Sequence, residues 1–183
     1  MTTVIAVCGL SNTGKNTLGD ILVQDYGFQL LDYTKDVLAP LLEQEGKQVV
    51  RENLSALATE LRRKKGPAIL TELLAGKIIG NGRYVITGLR AKEEAEYLRK
   101  RFGKSFFLIG VVADQKIRYQ RAVERNIKGE GKLSLKQFLA KDRLPTERLI
   151  ADAIAGADFL VDNNGTEKEL RKIVSTLMKK MLW

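Results

Sequence analysis

The chain has 183 residues, a net charge of +9, 44% hydrophobic and 29% charged residues, one cysteine and no histidine. That length suits one domain spanning 1–183 with a substantial core, and the composition is that of a water-facing globular protein. No apolar run approaches the roughly 20 residues that span a bilayer, a lone cysteine makes no internal disulfide, and the lack of histidine excludes a histidine general base and argues against zinc.

The first element is an apolar run, 3–8, that reads as a buried strand ending on Cys8, a small core residue. The run is short and has no basic lead, so a signal peptide is not expected, and the single cysteine suits a cytoplasmic setting. Gly9-Leu-Ser-Asn-Thr-Gly14-Lys15-Asn16-Thr17 follows, and then a helical pattern over 15–26. Strand, Gly-x4-Gly-Lys, helix is the arrangement that wraps backbone N–H groups around a phosphate. Gly9 and Gly14 let the backbone come close. The amides of Ser11, Asn12, Thr13, Gly14, Lys15, Asn16 and Thr17 would hold donor phosphates, with Lys15 reaching the outer ones. The position after such a lysine usually carries a Ser or Thr hydroxyl for Mg²⁺. Here it is Asn16, with Thr17 one place on; both are candidate oxygen ligands.

Further strands are expected at 28–31, 84–87, 106–112 and 158–161. Helices are expected near 35–46, 53–64, 67–80, 91–102, 115–127, 134–141 and 166–181. Short apolar strands alternating with helices predict an α/β, three-layer α/β/α fold around a five-stranded parallel sheet. In the last helix Thr166 and Glu169 form a capping box, and Leu170, Ile173, Val174, Leu177, Met178 and Met181 keep one face apolar. Ligands of such sheets gather at the carboxyl ends of the strands. Those ends carry the glycine loop, Asp32-Tyr33-Thr34, Gly88-Leu89-Arg90, Ala113-Asp114 and Asp162-Asn163-Asn164-Gly165. Segment 115–150 holds ten Lys/Arg and four Asp/Glu, two-thirds of the net charge. That implies an anionic partner, nucleotide phosphates or nucleic acid. Arg121 and Arg125 share a helix face, and Gly129-Glu-Gly131 reads as a hinge or loop tip.

These residues together resemble the P-loop nucleoside monophosphate kinase superfamily. The resemblance is nearest to the branch of deoxynucleoside monophosphate kinases, dephospho-CoA kinase and uncharacterised archaeal and bacterial kinase-like proteins. Gly14-Lys15-Asn16-Thr17 is similar to the GKDT form of the phosphate loop, which also lacks Ser/Thr after the lysine. Val85-Ile-Thr-Gly-Leu-Arg90, followed by Glu93, Glu94 and Glu96, resembles a strand-then-Arg-then-Glu element. Ala157-Asp158-Phe-Leu-Val-Asp-Asn163-Asn-Gly165-Thr166 with Glu169-Leu170 resembles the ending of dephospho-CoA kinase. Arg51-Glu-Asn-Leu, Leu61-Arg62 and Gly66-Pro67 resemble substrate-side helices. The similarity covers essentially the whole chain. One departure is Thr87-Gly88, where many such kinases carry an acidic residue.

The resemblance implies ATP with Mg²⁺ as cofactor and small-molecule nucleotide substrates, with acceptor-binding helices over about 33–80 and a lid over about 115–148. It implies Lys15, Arg90, Arg121, Arg125 and Asp32 as catalytic, and Asp32, Arg51, Arg62 and Arg90 as acceptor-binding. Arg121, Arg125, Lys128, Lys132 and Arg143 would belong to the lid, and Asn163 and Gly165 would lie at the adenine. Asp32 is also a candidate Mg²⁺ ligand. Plainer readings stand beside these: a surface ion pair of Arg90 with Glu93 or Glu94, a turn or cap carboxylate for Asp32, a helix-leading turn at Asn163–Gly165. The leading function is transfer of the ATP γ-phosphate to a (deoxy)nucleoside monophosphate, with dephospho-CoA second. A nucleic-acid-associated, weak ATPase is the alternative, though the basic segment has only Tyr119 and Phe138 for base stacking. A nucleotide-binding protein with degraded catalysis is the third.

Overall fold

The computed structural model describes residues 2–125 and 134–182. Strands β1 (Thr3–Cys8), β2 (Gln29–Leu31), β3 (Arg83–Leu89), β4 (Phe106–Val112) and β5 (Phe159–Asp162) form one sheet in the order β2-β3-β1-β4-β5. Every pairing is parallel. The described helices are α1 (Lys15–Tyr26), α2 (Ala39–Gln44), α3 (Arg51–Lys65), α4 (Ile69–Ala75), α5 (Lys92–Phe102), α6 (Gln115–Arg125), α7 (Leu135–Lys141), α8 (Pro145–Ala155) and α9 (Glu167–Leu182).

Alternation along the central strand builds the three layers. Val4, Ala6 and Cys8 enter one core with Leu57 of α3, Leu74 of α4, Leu98 of α5 and Ala153 of α8. Ile5 and Val7 enter the other, with Leu18 and Leu22 of α1 and Val174 and Met178 of α9. The apolar stripe and the Thr166–Glu169 capping box of the last helix form as expected: Glu169 Oε2 accepts from the Thr166 amide at 2.7 Å, and Thr166 Oγ1 accepts from the Glu169 amide at 3.3 Å. Burial pushes the Cys8 thiol up to about 12, so it is an inert core group.

β1, β4 and α1 fall where the sequence puts them. β3 runs further, because its register with β1 shifts: Val7 pairs with Thr87 but Cys8 pairs with Leu89. Gly88, at φ 91°, is the skipped residue, a conformation that an L side chain would strain. This bulge carries the strand to Leu89 and delivers Arg90 at the carboxyl edge. The expected helix over 67–80 is shorter; α4 stops at Ala75, ahead of Gly76 and Gly80. Two elements differ in kind. Residues Tyr33–Leu38 form a π-helix that leads into α2. And α8 was not expected, although Pro145 at its first turn is a start signal and Ile150, Ala153 and Ile154 share one face. Among the described residues no helix is long and apolar enough to cross a membrane.

Candidate functional site

Between β1 and α1 the glycine loop is held from several sides. Gly14 sits at φ 92° and begins the helix, whose first turn holds no acidic residue, so its N-terminal field faces the loop uncompensated. A side chain at position 14 would run into the amide of Asn163. Asn163 is buried; its Nδ2 donates to the Thr13 carbonyl at 2.8 Å, and its backbone amide donates to Val112 at 2.8 Å. Asn163 thus braces the loop from β5. Thr13 Oγ1 donates to the Leu10 carbonyl at 3.0 Å, and Lys15 Nζ donates to the same carbonyl at 3.3 Å. Lys15 therefore lies over the loop.

On the β5 side a cavity of about 360 Å³ is lined by Asn12, Gly14, Thr17, Arg121, Arg125 and Asn163, among others, with Gly165 at its edge. That volume is within the range of small-ligand pockets. Arg121 Nη2 donates to the Gly165 carbonyl at 3.0 Å, while its Nη1 is buried with no hydrogen-bond partner. Desolvation holds the Arg121 guanidinium below its ordinary value. An orphaned buried donor at the wall of a cavity is what a polar ligand would satisfy.

On the β3 side a small crevice is lined by Ser11, Lys15, Gly88, Arg90, Glu147 and Ile150. The loop lysine and Arg90 thus line one space. Arg90's ion-pair partner is neither Glu93 nor Glu94 but Glu147 on α8, at 4.0 Å. Glu94 is turned inward, 1% exposed, accepting from the Arg90 and Ala91 amides at 2.7 and 3.1 Å. It positions the backbone of Arg90. Burial raises the Glu94 carboxyl above its usual range, against the pull of those amides and of Arg62. Arg62 lies 3.9 Å from Glu94, so it stands behind Arg90 rather than apart. Tyr33 and Thr71 share a hydrogen bond of 2.9 Å, and burial raises the Tyr33 phenol.

Other expected residues lie elsewhere. Asp32 caps the π-helix, its Oδ1 accepting from the Lys35 amide at 2.7 Å, and it lines neither cavity beside the loop. Arg51 is exposed on α3 and lines a separate groove with Ser55, Thr59 and Arg63. Arg143 is exposed in a groove with Leu135 and Leu139, away from the phosphate loop. Lys128, Lys132 and the Gly129–Gly131 hinge lie outside the described residues.

The sequence missed Arg118. It is 2% exposed and forms a bidentate pair with Asp142 at the end of α7. Its Nε donates to the Ala113 carbonyl at 3.2 Å, its Nη1 reaches the Ser11 carbonyl at 3.4 Å, and its guanidinium lies 5.8 Å from the Phe138 ring centre. One residue of the basic segment therefore ties α7 to the phosphate loop. Glu147 was missed with its helix; the signal available was Pro145 followed two places later by an acid, a helix start.

Among the described residues no cluster of three or more Asp, Glu or Cys could hold a metal by itself. The donors beside the loop are Asn16, exposed, and Thr17, half-buried. Neutral oxygens at an open helix N-terminus suit a hydrated Mg²⁺ carried in by phosphates, and do not suit a resident ion. Asn16→Ser should then keep or raise Mg²⁺-dependent turnover, read by titrating Mg²⁺ against both proteins. Complete loss of turnover in a folded variant would give the amide another role.

Sheet order and phosphate loop define a three-layer α/β/α P-loop fold, the fold also found in small-molecule kinases of low sequence identity. The chain belongs to the AAA domain family, which it matches over residues 5–150, and to the UPF0200 proteins. A UPF0200 protein of Pyrobaculum aerophilum is 33% identical over 182 residues, covering 97% of this chain and 99% of that one. A UPF0200 protein of Aeropyrum pernix is 32% identical over 167 residues, covering 91% and 87%. In fold the chain is similar to a shikimate kinase of Bacteroides thetaiotaomicron, with TM-score 0.61, 14% identity and 99% of each chain covered. It is also similar to a gluconokinase of Sinorhizobium meliloti, with TM-score 0.52, 13% identity and 98% and 95% covered.

Proposed function

We propose that this protein is an ATP-dependent phosphotransferase acting on a small acceptor. A (deoxy)nucleoside monophosphate is the leading acceptor, and dephospho-CoA the alternative of the same class. The observation that carries the reading is the crevice where Lys15 and Arg90 line one space, beside a second cavity that opens on the same loop. A nucleoside held near Arg121, Arg125, Asn163 and Gly165 would lay its phosphates on the amides of residues 11–17. Lys15 would leave the Leu10 carbonyl for the outer phosphates. Arg90 would hold the acceptor's anionic group with its planar fork. The acceptor oxygen attacks the γ-phosphorus as the bond to the β–γ bridging oxygen breaks, and ADP leaves. Positioning and charge neutralisation carry most of such a reaction. Mg²⁺, when bound, supplies further neutralisation of the phosphates. The helices over 33–80 would form the acceptor side, and 115–148 the cover.

Arg118 is buried, and Arg121 lines the cavity with its Nη1 buried, which supports this reading over one in which the basic segment is a nucleic-acid surface. Oligonucleotide binding measured against salt separates the two: a steep loss of affinity with rising salt marks a true nucleic-acid site. Arg90→Lys tests the acceptor assignment. It should lower kcat/KM for the acceptor by about 2–3 kcal/mol of transition-state stabilisation with donor binding little changed, because a point charge cannot replace a bidentate fork. Steady-state kinetics varying each substrate in turn read it. A loss confined to the donor would put Arg90 on the wrong side of the site.

A further inference from the structure

We propose that Glu147 is a built-in competitor for the acceptor's anion, and that it sets how strongly Arg90 can hold that anion. This rests on the phosphotransferase reading and names the residue that tunes its acceptor side. Among the residues lining the Lys15–Arg90 crevice, Glu147 is the carboxylate. Its side chain is only 14% exposed, against 57% for Arg90, and the two stand 4.0 Å apart. It is fixed in the first turn of α8, where its amide donates to the Leu144 carbonyl at 2.9 Å. The helix start favours its charge. Glu94, the other acid close in space, is occupied with the Arg90 and Ala91 amides and does not compete for the guanidinium.

An acceptor phosphate must therefore take Arg90 from a carboxylate already beside it. Without acceptor, the pair keeps the crevice nearer neutrality, so stray anions gain less there. With acceptor, Glu147 remains close enough to oppose a second negative charge. Acceptor affinity is thus the difference between two anions' claims on one guanidinium, and Glu147 discriminates among acceptors by charge.

The test is calorimetric titration of inorganic phosphate into wild type, Glu147→Gln, Arg90→Gln and the double variant, each with and without a saturating non-hydrolysable ATP analogue. With the donor loop filled, phosphate reports the Arg90 crevice. Glu147→Gln should bind phosphate about three- to tenfold more tightly, since the gain combines release of a partly exposed pair with loss of a repulsion. The gain should vanish when Arg90 is also Gln. Glu147→Asp, one methylene shorter, should gain less than Gln and guards against a folding defect in one variant. Equal or weaker phosphate binding in Glu147→Gln would overturn the proposal. So would a collapse of turnover at unchanged acceptor KM, which would make Glu147 a proton acceptor instead. Failure of the analogue to bind wild type would defeat the functional reading on its own, while the phosphate comparison without analogue would still decide the role of Glu147.

Discussion

Lys15→Ala should remove turnover and weaken ATP binding while leaving the fold intact. The side chain lies over the loop with its Nζ on the Leu10 carbonyl at 3.3 Å, and it contributes nothing to either hydrophobic core. Losing it deletes the one cationic side chain of the loop but spares the backbone amides and the start of α1, which still favour an anion. Some residual phosphate affinity is therefore expected. The loss in transition-state stabilisation should be on the order of 3–4 kcal/mol, the size found when one preorganised donor is removed from developing charge. Calorimetry with ATP, a thermal melt and initial rates check the three parts. Unchanged affinity and unchanged rate would contradict the phosphate-loop assignment.

Arg118→Met should act on stability. Arg118 is 2% exposed, and its partner Asp142 has a side chain 15% exposed. Removing the guanidinium leaves a mostly buried carboxylate unpaired, and breaking a buried pair this way typically costs about 3–5 kcal/mol. The Ser11 and Ala113 carbonyls lose their donor as well, and Phe138 loses a cation over its ring. Discounting for the partial exposure of Asp142, about 3 kcal/mol is expected, a fall in Tm of roughly 6–12 °C for a domain of this size. Arg118→Met with Asp142→Asn should recover part of it, because the orphaned charge is then gone. A single variant melting within about 2 °C of wild type would show that this pair is not holding α7 to the loop.

What was legible in the sequence was local. Gly-x4-Gly-Lys announces part of its own conformation, because Gly14 stands at φ 92°, which an L side chain would strain. Thr166 and Glu169 announce a helix start through their capping box. Short apolar runs alternating with helices predicted the parallel sheet, since the three inner strands are buried on both faces. What was not legible depends on partners far along the chain. A basic residue inside a basic run reads as surface, and only pairing with Asp142, 24 residues on, shows that Arg118 is interior. Asn163 reads as part of a turn, yet its side chain braces Thr13 from 150 residues away. Glu147 was hidden with α8, although Ile150, Ala153, Ile154 and Ala157 repeat at helical spacing and the last three join one core. The carboxylate neighbour of Arg90 was expected on the helix that follows it, and the fold supplied one from α8.

The central claim is that Lys15 and Arg90 face one another across a phosphoryl-transfer site. The most direct measurement is ADP release from ATP and Mg²⁺ across a panel of nucleoside and deoxynucleoside monophosphates and dephospho-CoA, with wild type and Lys15→Ala side by side. The account predicts that ADP formation requires one acceptor of the panel, that the acceptor gains a phosphate in equal amount, and that both disappear in Lys15→Ala. ADP release that ignores every acceptor, or that survives in Lys15→Ala, would contradict it.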